Sequence, residues 1–207
     1  MLGVLGGNYM SPAKAAAWIQ SADLVIAADS GLHHILQAGS APNVVIGDFD
    51  SVSPELIPDS VETIVDRGQE NTDCAKLLDY VKKLGFSAVT LICAEGDLSD
   101  HFLDTLHSSV RSDLTVTIGL DRGQAHILKG PYTGTIEAEP GKRVSLLPLE
   151  TMTNASMAGV EWEFEGKTIS VRGFTSISNK ATESLLTLSF DEGSGYLFVE
   201  CEEPKWR

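Results

Sequence analysis

Up to about residue 120 the apolar positions fall in short continuous runs, separated by stretches with a helical repeat. The runs predict strands at Leu2–Leu5, Leu24–Ala28, Val44–Ile46, Glu62–Val65, Ala88–Cys93 and Thr115–Ile118. The intervening stretches predict helices at Pro12–Gln20, Ser30–Gln37, Thr72–Leu84 and His101–Arg111. Strands that are apolar throughout, rather than alternating, are buried on both faces. Their alternation with helices predicts a parallel sheet with right-handed crossovers. Local signals agree: Pro12 behind Ser11 suits a first helical turn, and Gly85 stops a helix whose Leu77, Leu78, Val81 and Leu84 share one face.

Beyond residue 120 the pattern changes to short alternating segments. Strands are predicted at Gln124–Leu128, Gly134–Glu139, Arg143–Pro148, Val160–Phe164, Thr168–Val171, Ser184–Phe190 and Tyr196–Glu200. Gly130-Pro131, Pro140-Gly141, Gly166, Gly173 and Gly193 punctuate them, which predicts an antiparallel sandwich or barrel. The expected domains are therefore 1–122, α/β, and 123–207, all β.

A chain of 207 residues, 43% hydrophobic, supports a core of this size. The net charge of −14 argues against nucleic-acid binding, which leaves a basic footprint. Residues 1–120 carry 16 acids against 6 bases, a net of −10, so most of the acid sits in the α/β half. Cys74, Cys93 and Cys201 are odd in number and lack a C-x-x-C spacing, which points away from disulfides and zinc. With no long apolar stretch the expectation is a cytoplasmic protein without a membrane segment.

The acids are ordered. Asp48 and Asp50 follow Val44–Ile46 at i, i+2, which points both the same way in an extended segment. Two carboxylates ~4 Å apart repel by about 4 kcal/mol at an effective dielectric of ~20, so a fold that pairs them wants a cation. Hard oxygen ligands suggest Mg²⁺ and phosphate chemistry. Asp29, Asp66, Asp97 and Asp100 follow other strands, and Asp73 opens a helix, so all face one carboxyl edge of the sheet, where open α/β sheets bind ligands. Glycine-rich nucleotide loops of the G-x-x-x-x-G-K-[ST] or G-x-G-x-x-G type are missing, leaving metal and helix N-termini to hold a phosphate.

Ala28-Asp29-Ser30-Gly31, Ile46-Gly47-Asp48-Phe49-Asp50-Ser51, Asn71-Thr72-Asp73 and Asp100-His101 occur in the order seen in thiamine pyrophosphokinases. Gly159-Val160-Glu161-Trp162 and Ser178-Asn179 resemble that family's C-terminal signatures. The resemblance implies a Rossmann-like α/β domain with a parallel sheet, then a β-sandwich, as a homodimer with the active site near the subunit interface. It implies transfer of pyrophosphate from ATP to the hydroxyl of thiamine, with Mg²⁺. Asp48, Asp50, Asp73 and Asp100 would be the catalytic and metal-binding acids. Asp29, Ser51, Thr72 and His101 would help bind the nucleotide, and Trp162, Ser178 and Asn179 the thiamine. Without the resemblance, Trp162 and Phe164 read as one core-facing side of a strand.

Four positions depart from the family pattern. Leu98 stands where an arginine precedes Asp-His, Asp97 adds a negative charge where the family has glycine, Glu70 replaces an aspartate, and Thr105 replaces an asparagine. Leucine cannot fork onto phosphate as arginine does. Arg67, Arg122 and Lys129 are the candidate replacements. The alternatives are a pyrophosphokinase acting on another alcohol, and a nucleotide- or thiamine-binding homologue without turnover.

Overall fold

The computed structural model describes residues 1–50, 52–68 and 70–202. Ser51, an expected nucleotide contact, lies outside the described residues. The chain divides into two compact units, Met1–Asp121 and Arg122–Arg207.

The first unit alternates strand and helix: β1 (Leu2–Val4), α1 (Pro12–Gln20), β2 (Val25–Ala28), α2 (Gly31–Gln37), β3 (Val44–Gly47), β4 (Glu62–Val65), α3 (Asp73–Lys83), β5 (Ala88–Ile92), α4 (Ser99–Arg111) and β6 (Thr115–Leu120). The strands lie in the order β6-β5-β1-β2-β3-β4, and every pair is parallel. β1, β2 and β3 are buried along their whole length, as their apolar runs require; β4 is the exposed edge and carries Glu62. Trp18, Ile19, Leu32 and Ile35 fill the core beside Val45 and Ile92. The chain moves outward from β1 to β4, then returns to the other side of β1 with β5. That reversal places the topological switch point between β1 and β5.

The second unit contains β7 (Gly123–Lys129), β8 (Tyr132–Glu137), β9 (Arg143–Pro148), β10 (Met152–Ala158), β11 (Phe164–Ile169), β12 (Ser176–Lys180), β13 (Leu185–Phe190) and β14 (Ser194–Glu200). Within this unit they form two antiparallel sheets, β12-β9-β14-β7 and β11-β10-β13-β8, closed over a core of Ile136, Leu146, Met157, Leu188, Phe190 and Leu197.

Two predicted strands are not formed as expected here, and two observed strands were not predicted. Residues 160–163 are not a strand. Val160 makes an isolated bridge to Ala181, the chain bends through Glu161 and Trp162, and β11 begins only at Phe164. The Glu163 carboxylate accepts the Gly159 N–H at 2.8 Å, and the Asn179 amide closes on both backbone groups of Trp162, at 3.1 and 2.9 Å. Side chains have taken the groups a ladder would use. Trp162 and Phe164 therefore do not share a strand face: Trp162 is 58% exposed while Phe164 is buried. Thr168 and Ile169 end β11 instead of opening a separate strand, and Val171 stands outside it, exposed. β10 and β12 were not expected; both are rich in Ser, Thr and Asn.

Asn179→Ala should leave Trp162 N–H and C=O without their protein partners and cost unit 2 about 1–3 kcal/mol. A lowered thermal midpoint with unchanged far-ultraviolet circular dichroism below the transition is the expected result.

Candidate functional site

The strand ends of unit 1 are bent sharply. Asp29 after β2, Phe49 after β3 and Cys93 after β5 all take positive φ, at 41°, 62° and 55°. None is glycine, so each carries backbone strain, and such strain gathers at working sites. Asp29 holds its place through its N–H to Ile46 O at 2.8 Å. Gly47 then passes so near that a Cβ on it would stand 2.9 Å from Asp29 Cβ. That close passage brings the next residue, Asp48, beside Asp29. One carboxylate oxygen each from Asp29, Asp48 and Asp50 lies within 4.8 Å of the others. The burial grades outward, from Asp29 at 3% exposed, through half-buried Asp48, to exposed Asp50.

The cluster borders a cleft of about 840 Å³. Its walls come from the β1 loop, the β2 and β3 ends, the start of α3 and the turn into α4. Gly6, Gly7 and Asn8 form the first wall. Gly7 N–H donates to Cys93 O at 2.7 Å and Tyr9 N–H to Glu95 O at 3.2 Å, which zips the loops after β1 and β5 together across the switch point. A Cβ on Gly7 would meet Glu95 O at 2.2 Å, so only glycine allows the zip. Asn8 Nδ2 reaches Asp97 Oδ2 at 3.1 Å.

Asp73 and Asp100 line the same cleft, as do His101 and Thr72, but neither Asp73 nor Asp100 joins the three-oxygen group. Burial raises the Asp73 carboxyl above its ordinary pKa; nearby Asp48 and Asp50 push the same way, and Lys76 opposes them. The surroundings therefore disfavour its charge, a condition a bound cation would relieve. Thr72 caps α3, accepting Ala75 N–H at 3.4 Å, and donates its hydroxyl to Asp104 Oδ2 at 2.6 Å. Asp104 also accepts from Ser108 and meets Arg111 on α4, so Thr72 ties the start of α3 to the middle of α4. Asp66 stays out of the site: its Oδ1 accepts Gly68 N–H at 2.9 Å in a turn.

The departures also have structures. Leu98 precedes α4, 58% exposed and without a polar atom to offer. Thr105 is buried and bonds back to His101 O at 2.9 Å. Glu70 lines the cleft, whereas Arg67 is exposed and does not. Arg122 pairs with Glu200 at 3.3 Å in unit 2. The cation that does line the cleft is Lys76, which the sequence reading passed over. Its spacing three residues after Asp73, off the apolar stripe of α3, was the available signal. His34 was missed as well: its ring is tied to the backbone of Gly6 and Gly7, and burial lowers its pKa.

In unit 2 the expected thiamine residues come together. Asn179 is 1% exposed and spends its amide on Trp162 and on Ser176 Oγ. Ser178 sits in a bulge of β12 at φ 57°, exposed, with its N–H on Ser145 Oγ at 2.9 Å. Trp162 and Ser178 are thus presented outward, and Asn179 is the buried clasp that holds them.

A parallel layer whose strained strand ends gather carboxylates along one cleft, joined in sequence to a β-sandwich, is built to hold a cation beside a ligand. The model of the thiamin pyrophosphokinase catalytic domain matches residues 15–120, and that of the vitamin B1 binding domain matches residues 133–194. The thiamine pyrophosphokinase of Bacillus subtilis (strain 168) is 26% identical over 181 residues, covering 82% of this chain and 84% of that one. Among solved structures, a thiamin pyrophosphokinase family protein from Enterococcus faecalis superposes with a TM-score of 0.81 at 20% identity, over 98% of this chain and 99% of that one. The enzyme from Candida albicans gives 0.79 at 14%, over 97% and 88%. The chain belongs to the thiamin pyrophosphokinase family.

Two outcomes follow from this geometry. Gly47→Ala should displace Asp29, lower stability by about 1–3 kcal/mol as overpacking does, and weaken Mn²⁺ binding measured by electron paramagnetic resonance. Cys74 and Cys93 are buried thiols pushed up to about 12, so neither should react with a disulfide reagent at neutral pH until the protein is denatured.

Proposed function

We propose that the chain transfers the pyrophosphoryl group of ATP to the hydroxyl of thiamine, giving thiamine diphosphate and AMP. The observation that carries this reading is the approach of Asp29, Asp48 and Asp50 within 4.8 Å at the mouth of a cleft that Asp73 and Asp100 also line. An all-oxygen, all-carboxylate set suits a hard divalent cation, and Mg²⁺ is the one that accompanies ATP. Asp29, Asp48 and Asp50 would hold it, with Asp73 and Asp100 completing the surroundings. When bound, the ion offsets the phosphate charge that would otherwise be repelled by a net −10 half of the chain.

The remaining work is positioning. The thiamine oxygen attacks the β-phosphorus, the bond from that phosphorus to the bridging α-oxygen breaks, and AMP departs with the electron pair. The hydroxyl proton passes to a carboxylate of the cleft. Asp73 suits this, because its raised pKa brings it nearer to neutrality than an ordinary aspartate; Asp100 is the other candidate. Thr72 acts by fixing the start of α3, and the zipped Gly6-Gly7 loop lets backbone approach the phosphates. His101 joins the nucleotide contacts from the cleft wall. In unit 2, exposed Trp162 offers an aromatic face to the cationic thiazolium, and Ser178 a hydroxyl.

The same reading has the protein act as a homodimer, with the active site near the subunit interface. Exposed Trp162, Ile177 and Phe174 in unit 2 support an assembly that covers apolar surface. Placement in the cytoplasm is supported by three free thiols and by the lack, among the described residues, of any helix long and apolar enough to cross a membrane.

With ATP, Mg²⁺ and thiamine, AMP should form only when all three are present. Asp48→Asn and Asp50→Asn should each lower kcat at least ~100-fold, in line with losing electrostatic stabilisation of phosphoryl transfer. Chelation by EDTA should abolish turnover, and added Mg²⁺ should restore it. AMP formed with another alcohol, or ATP and thiamine binding without AMP, would replace this reading with a different acceptor or a binding role. Leu98→Arg should raise kcat/KM for ATP if the cleft has room for the fork.

A further inference from the structure

Lys76 is the only lysine or arginine that lines the cleft among the described residues, against seven acids. It lies on α3 roughly opposite the stripe of Cys74, Leu77, Leu78 and Val81, yet it is 5% exposed. Its Nζ meets Asp73 Oδ1 at 3.5 Å, the far limit of a hydrogen bond. An ammonium has three N–H donors, so most of its capacity faces the cleft. Burying an ammonium is costly, and a single long ion pair does not recover that cost. A lysine held for stability alone would be better replaced by an apolar residue. A ligand rich in negative oxygen would complete its coordination.

We propose that Lys76 binds the polyphosphate of ATP directly and supplies the cationic grip that Leu98 does not. Leu98 has no donor, and Arg67 is exposed and outside the cleft wall. The carboxylates attract a cation, and Lys76 attracts the anion that the cation accompanies. Its contact with Asp73 keeps the ammonium at the start of α3, where the helix N-terminus also favours phosphate. This inference rests on ATP being the donor substrate.

Binding of ATP, with and without Mg²⁺, is followed by calorimetry in the absence of thiamine for the unaltered protein, Lys76→Met, Lys76→Gln and Lys76→Arg. Mn²⁺ binding without nucleotide is measured beside it. Loss of a charged hydrogen bond to phosphate should weaken ATP binding about 10- to 100-fold in Lys76→Met and Lys76→Gln. Mn²⁺ should bind as tightly as before or tighter, since a positive charge beside the carboxylates is gone. Lys76→Arg should recover most of the ATP affinity. Opposite responses to ATP and Mn²⁺ separate a phosphate contact from a general loss of structure, which would weaken both. Should Lys76→Met fail to fold by circular dichroism, Lys76→Gln and Lys76→Arg carry the comparison. ATP affinity within twofold of the unaltered protein in a folded Lys76→Gln would overturn the proposal and leave Lys76 as the counter-ion of Asp73. An unaltered protein that binds no ATP would instead overturn the donor reading, and this one with it.

Discussion

Mutual repulsion among carboxylates is the constraint around which unit 1 is arranged. Asp29, Asp48 and Asp50 bring oxygens within 4.8 Å. Each such pair is mutually unfavourable, most of all where burial at Asp29 limits screening by water and least at exposed Asp50. The fold sustains the cost by leaving the backbone no freedom to relax it. Left-handed turns at Asp29 and Phe49 aim the acids, and the near contact at Gly47 removes the space into which Asp29 would retreat. Buried β2 and β3 hold those turns in register, Ala28 opposite Ile46. What a solvated loop would relax by moving, this sheet holds in place.

That arrangement explains which parts of the molecule could be read from its sequence. The parallel strands were legible because burial on both faces leaves continuous apolar runs, and the strand order then placed every acid on one edge. Asp66 shows the limit of that inference. It follows β4 as Asp29 follows β2, but its carboxylate closes a turn on Gly68. Position on an edge says where an acid begins, not where it points. Lys76 escaped notice because a helical lysine off the apolar stripe ordinarily faces water; its burial arises from neighbours that periodicity does not encode.

Unit 2 was harder for a different reason. β10 and β12 are rich in Thr, Asn and Ser, whose side chains compete for backbone groups and so resemble loops. The reverse error at Val160–Phe164 has the same origin. Apolar alternation suggested a ladder, but Asn179 and Glu163 had already claimed the backbone of that bend. The aromatic residue that alternation alone would put in the core, Trp162, stands exposed instead. Where a side chain replaces a strand as hydrogen-bonding partner, pattern reading loses its footing.

The tie made by Thr72 has a consequence for substitution. One hydroxyl both accepts from the third residue of α3 and donates to Asp104, which in turn engages Ser108 and Arg111. Serine is the sole ordinary substitute that keeps both bonds in so small a volume. Positions 72, 104, 108 and 111 therefore form one hydrogen-bonded network spread over two helices, so a substitution at any one of them leaves the others a bond short.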